Sequence, residues 1–179
     1  MKKIVLTFGL IAGAVMAAFM FATLPFMNSL DEHSLIVGYA GIVAGFLLVF
    51  FGVRSYRDNV LHGAIGFGRA FTTGLLIATI GSVCYVLAWE VMYYKFMPDF
   101  YSKYAQSMVE QARKAGKSET EIAKTRASLE EMTKNADNPV WVFGTTFLEP
   151  FPVGLITALV SAGALRRKRG SRDPVLATA

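Results

Sequence analysis

Glu149-Pro150-Phe151-Pro152 brings together the residues of this sequence most able to do chemistry. The motif lies inside an apolar run. An ionised carboxylate near the centre of a bilayer costs about 3 kcal/mol or more, so Glu149 is expected to be neutral or paired. Pro150 and Pro152 cannot donate to the carbonyls of Thr146 and Leu148, so a helix should kink or break there. A broken helix beside a buried carboxylate is a recurrent construction for ion and substrate sites in transporters. The same residues also fit a structural kink in which Glu149 is tied to Ser82, Thr79 or Arg69. Glu90 is the second acid in an apolar run. It falls four residues before Tyr94, where its carboxylate can reach the head-group zone, with Lys95 or Trp141 as partner. Helical rise separates Glu90 and Glu149 by roughly 8 Å in depth, so a shared proton is not expected.

Other chemistry finds no support. There is no HExxH, Walker loop, CxxC or nucleophile elbow. Gly66-Phe67-Gly68 lacks the third glycine, the preceding strand and the acidic partner of a dinucleotide fingerprint. His62 and His33 fall on opposite sides of the membrane in the topology below, so they cannot share a metal. Cys84 is the one cysteine, lies in an apolar run, and reads as a buried, inert thiol. No enzyme activity, cofactor or metal is expected.

The elements that must position Glu149 are membrane helices. The chain is 54% hydrophobic and 17% charged, against about 25% charged in an average soluble domain. The apolar residues cluster in four segments, about 4–27, 35–53, 70–94 and 140–165, each near the ~20 residues that span a bilayer core. The run from Ile4 to Met27 exceeds the apolar core of a signal peptide, so it reads as an uncleaved first helix. The expected fold class is all-α: a polytopic four-helix bundle, with an extracytoplasmic helical hairpin at 95–139 between the third and fourth spans.

Charge sets the expected orientation. Lys2, Lys3, Arg54, Arg57, Arg69, Arg166, Arg167, Lys168, Arg169 and Arg172 flank one side, whereas the loop 28–34 has no Lys or Arg and carries Asp31 and Glu32. The positive-inside rule then places both termini in the cytoplasm. Arg166–Arg169 reads as an anchor that fixes this orientation. The net charge of +5 belongs to that distribution and does not point to nucleic acid. Membrane lipids, a second copy of the chain or another membrane protein are the partners to expect.

Small residues recur every four positions: Gly9, Gly13 and Ala17; Gly41 and Gly45; Gly74, Ala78 and Ser82; Gly154, Ala158 and Ala162. That spacing puts each set on one helix face, where close backbone approach replaces the missing hydrophobic drive. Trp89, Tyr93, Tyr94, Phe96, Phe100, Tyr101 and Trp141 gather at one boundary and read as an interfacial belt. In the insert, one helix is expected over 99–115 and is broken at Gly116. Ser118 and Glu121 then form a capping box for a second helix ending near Asn135. The stretch Phe51–Asn59 leaves the second span, and the glycine-rich Leu61 to Phe71, with Gly63, Gly66 and Gly68 before Arg69, reads as a short interfacial turn followed by a helix start.

Several of these motifs occur in a fixed order. After the first pair of spans come Arg54-x-x-Arg57-Asp58 and Gly66-Phe67-x-x-Ala70-Phe71-x-x-Gly74. Tyr85 with Trp89, then Tyr93-Tyr94-x-x-x-Pro98-Asp99-Phe100, follow. Glu149-Pro150-x-Pro152-x-Gly154-Leu155-Ile156 and Arg166-Arg167-Lys168 close the series. In this the chain resembles the DUF4199 family of bacterial four-span membrane proteins. The resemblance implies a bacterial inner-membrane location and the fold, and transfers no catalytic residues. The expected function is that of a non-enzymatic scaffold or accessory subunit whose outer hairpin meets a partner. The alternative is a small oligomeric transporter or proton-coupled carrier that uses Glu149 at the broken fourth helix.

Overall fold

The computed structural model describes residues 1–24 and 32–166, with the side chains of 32–35 excepted. Arg167–Arg169, Arg172, Asp31 and the side chains of Glu32 and His33 lie outside the described residues. Seven helical segments follow one another: α1 (Lys2–Thr23), α2 (Glu32–Asn59), α3 (Phe67–Phe96), α4 (Phe100–Lys114), α5 (Glu119–Asn135), α6 (Pro139–Phe147) and α7 (Pro150–Leu165). Four stretches are long and apolar enough to cross a membrane: Lys2–Thr23, Ile36–Asn59, Phe67–Phe96 and Pro139–Leu165, the last made of α6 and α7 together.

The four spans form one bundle. Both α1 and α7 pack against α2 and α3, so they occupy opposite corners. Gly9 lies against Ile80 and Gly13 against Cys84, so α1 and α3 run parallel. Gly41 meets Phe19, Gly45 meets Met16, and Gly52 meets Phe8, so α1 and α2 run antiparallel. The α3–α7 seam is made of small residues from both sides. A Cβ added at Gly74 would lie 3.1 Å from that of Ala158, and one added at Gly154 would lie 2.9 Å from that of Ala78 and 2.9 Å from the Phe46 ring. Side chains this small let the backbones approach, and dispersion between them stabilises the pair where lipid competes for every apolar surface. Phe46, Val49, Ile77 and Ala158 fill the centre and are fully buried.

The second span runs further than its apolar stretch. The helix continues through Arg54, Ser55 and Tyr56 to Asn59, past the expected end of the span at residue 53, and the expected turn and helix start follow, with α3 beginning at Phe67. Tyr56 is buried in a cluster with Val53, Ile65, Ala70 and Leu165, so tertiary packing carries the helix past the point where hydropathy falls. Arg57 and Arg54 both pair with Asp58, at 2.6 and 3.6 Å. The turn that follows needs a positive φ at His62 (55°) and Gly63 (93°).

At the opposite end of the bundle, α4 and α5 pack on each other as a helical hairpin. The α4 terminus is a Schellman turn. Gly116 has φ 68°, its N–H bonds to Arg113 O at 3.0 Å, and the Lys117 N–H bonds to Ala112 O at 3.2 Å. Ser118 and Glu121 form the capping box of α5: Ser118 Oγ accepts from the Glu121 N–H at 3.4 Å, and Glu121 Oε2 accepts from the Ser118 N–H at 3.1 Å. The Ser118 hydroxyl also donates to Glu121 Oε2 at 2.8 Å, and this bond, with the one from the Ser118 N–H, holds the Glu121 carboxyl below its ordinary range. The Asn138 side chain caps α6, with Pro139 at its first position.

Candidate functional site

The fourth span breaks where the prolines require it. Helix α6 ends at Phe147 and α7 starts at Pro150. The Glu149 N–H turns back to Thr146 O at 3.2 Å, a tighter turn than the α-helical one. Thr146 O, which Pro150 cannot reach, is thereby satisfied, and a one-turn tightening replaces the open carbonyl that the sequence implied. Pro150 is buried, and Pro152 is exposed.

This break aims Glu149 across the bundle. The Tyr85 hydroxyl of α3 donates to Glu149 Oε2 at 3.2 Å, and Tyr85 is 8% exposed. The expected ties from Glu149 to Ser82, Thr79 and Arg69 are not formed. Thr79 donates to its own helix at Leu75 O, and Ser82 Oγ is buried with no partner. Arg69 is exposed at the start of α3, sixteen residues or about 24 Å of helical rise from Tyr85. Glu90 is half-buried and stands apart, one and a half turns beyond Tyr85 on α3. Among the described residues it makes no ion pair or hydrogen bond. Of the residues singled out by sequence, then, Glu149, Pro150 and Pro152 share one place, and Glu90 and Arg69 do not.

Glu149 opens onto a cavity of about 620 Å³ between the bundle and the base of the hairpin. Helix α1 contributes Met16, Met20 and Thr23, and α2 contributes Tyr39. Helix α3 adds Tyr85 and Trp89. The hairpin supplies Phe100, Tyr101 and Tyr104 from α4 and Met132 and Glu131 from α5, and α6 adds Trp141 and Thr146. About one turn and a half beyond Glu149 on α7, Gly154 packs against Ala78 and the Phe46 ring.

The aromatics expected as an interfacial belt divide into two groups. Tyr94 and Phe96 are 40% and 60% exposed, as a belt requires. Tyr93 and Tyr101 are buried, and Trp89, Phe100 and Trp141 pack with them. Trp89 meets Phe100 edge-on at 4.9 Å, Tyr93 meets Tyr101 at 4.9 Å, and Tyr101 meets Trp141 at 6.2 Å. These rings seat the hairpin on the bundle, and all of them but Tyr93 line the cavity. The Trp89 Nε1 proton lies beside Tyr101 without a hydrogen bond of ordinary geometry. Among the described residues, no group of His, Cys, Asp and Glu is arranged to hold a metal.

Tyr85 is the site residue that the carboxylate-and-proline pattern does not reveal. Its signal was its place one turn before Trp89, on the face that meets the fourth span.

No curated protein and no solved structure matches the chain. A family model described as a protein of unknown function, DUF4199, matches residues 7–167. That match spans all four membrane helices and the hairpin between them, and the chain belongs to the DUF4199 family.

Proposed function

We propose that this protein is a small, non-enzymatic carrier that admits a ligand into the cavity beneath its hairpin and holds it at Glu149. The observation that carries this reading is the cavity itself, which ends on a carboxylate held by Tyr85 at 3.2 Å. In this reading the small-residue seam beyond Glu149 is the closed gate, and the Glu149–Pro150 break is the hinge about which α6 and α7 rearrange. Lys2, Lys3, Arg54, Arg57, Arg69 and Arg166 all lie at the end of the bundle opposite the hairpin. By the positive-inside rule that end is cytoplasmic and the cavity opens outward; the family resemblance points to the bacterial inner membrane.

A water-soluble, impermeant carbodiimide applied from the hairpin side of sealed vesicles should label Glu149. Absence of labelling, with Glu149→Gln folded as a control, would remove the aqueous route and with it the carrier.

A second reading, a scaffold whose hairpin docks a partner, rests on a different observation. Between α4 and α5, away from the bundle, lies an open cleft of about 700 Å³ that includes Val109, Leu129 and Thr133. Replacing residues 105–127 by a short flexible loop spares the residues that line the inner cavity. A carrier keeps its Glu149 labelling after this change, whereas a scaffold loses any co-purifying membrane protein.

A further inference from the structure

We infer that the ligand of this cavity is an organic cation, an alkyl- or arylammonium whose charged nitrogen pairs with Glu149 and whose apolar body lies along the aromatic wall. The inference deepens the carrier reading and rests on it. Three properties of the lining point the same way.

The first is the sign of charge. Glu149 sits at the floor and Glu131 in the α5 wall, and no Lys, Arg or His lines the cavity among the described residues. An anionic ligand would meet only repulsion, whereas a cation supplies the partner that an ionised Glu149 needs within the membrane.

The second is the kind of surface. Seven of the nineteen lining residues are aromatic, against 13% of the whole chain. Aromatic faces carry negative charge density, and a cation within about 6 Å of a ring centroid is attracted more strongly as water is excluded. Met16, Met20 and Met132 add polarisable, adaptable surface suited to a bulky apolar body.

The third is coordination number. A hard cation such as Ca²⁺ or Mg²⁺ takes about six oxygen ligands. The floor offers the Glu149 carboxylate, the Tyr85 hydroxyl and Thr146. One carboxylate beside rings suits a soft, diffuse monocation instead.

The chain carries its own reporter. It has two tryptophans, Trp89 and Trp141, and both line the cavity. The full chain in lipid nanodiscs should therefore be titrated while its tryptophan fluorescence is followed. The probes are benzyltrimethylammonium, its neutral isostere neopentylbenzene, and benzenesulfonate. The expected result is a saturable change with the ammonium alone, and protection of Glu149 from carbodiimide by the same compound. Glu149→Gln should weaken the ammonium about tenfold to a hundredfold, the loss of one charge partner. If that variant fails to assemble, the comparison of ammonium with isostere on the native chain decides the matter by itself. Saturation by the neutral isostere at equal or lower concentration overturns the cation and leaves the binding cavity standing. Absence of saturation by any probe, with Glu149 still labelled, overturns the cation but not the aqueous route. Failure of the labelling itself removes the carrier reading beneath both.

Discussion

The two halves of the bundle solve the same packing problem in opposite ways. Toward the chain termini, Gly74, Ala78, Gly154 and Ala158 bring α3 and α7 together with almost no side chain between them. Toward the hairpin, the continuations of these helices carry Tyr85, Trp89 and Trp141, which line a cavity of about 620 Å³. The change falls at Glu149 and Pro150, where the fourth span stops being one helix. Small residues give strength through close approach, and large rings give strength only where they touch. A bundle that switches from one to the other along its length is rigid at one end and adaptable at the other.

The sharpest way to break this contrast is to put volume into the small-residue half. A Cβ at Gly154 would lie 2.9 Å from that of Ala78 and 2.9 Å from the Phe46 ring. Gly154→Ala should therefore destabilise the bundle by about 1–3 kcal/mol, and Gly154→Leu by more, in mixed-micelle unfolding. Gly163, which has nothing near its would-be Cβ, is the control. Gly163→Ala should stay within about 0.5 kcal/mol of the native chain. Equal effects at the two sites would mean that the seam is not tightly packed.

At the boundary, Tyr85→Phe removes the hydrogen bond to Glu149 and keeps the ring. A cost of about 0.5–1.5 kcal/mol is expected, the range for one interhelical bond in a membrane. A double-mutant cycle with Glu149→Gln should show that the two losses do not add. Additive losses would mean that the residues do not meet.

In the hairpin, effects should be local. Ser118→Ala should cost α5 about 1 kcal/mol, seen as faster amide exchange in its first turn, with bundle unfolding unchanged. Acid should do the same. Glu121 is held below its ordinary range by Ser118, so the box is intact above the ordinary glutamate pKa of about 4.3 and opens as pH falls through the lowered folded value. Exchange that stays flat to the lowest accessible pH would show that the carboxylate half of the box contributes nothing.

Much of this architecture is legible in the sequence because the signals are local. Hydropathy marks the four spans, Ser118-x-x-Glu121 marks the start of α5, and the two prolines mark the break in the fourth span. What is not local is not legible. Tyr85 and Glu149 are 64 positions apart, and their meeting depends on the axial register of α3 against α7. The Gly74–Ala158 and Gly154–Ala78 contacts set that register. Arg69 looked plausible as a tie because its charge is complementary, but register puts it at the far end of α3. The aromatic cluster read as a belt because composition cannot tell a ring facing lipid from one facing another ring. The continuation of α2 to Asn59 was hidden because Arg54 and Arg57 end the apolar stretch while Tyr56, between them, is buried.

The corner placement of α1 and α7 carries a consequence for biogenesis. Because α7 touches α2 and α3 and sits across from α1, the first three spans can assemble by themselves into a wedge with one open groove. That groove exposes Gly74 and Ala78 to lipid until the last span arrives. Between Phe96 and Pro139 the ribosome must first make the whole hairpin, a delay of a few seconds at about 5–20 residues per second. During that interval the half-built protein presents a glycine-lined slot to its neighbours in the membrane. The length of the hairpin thus sets how long that slot stays open during synthesis.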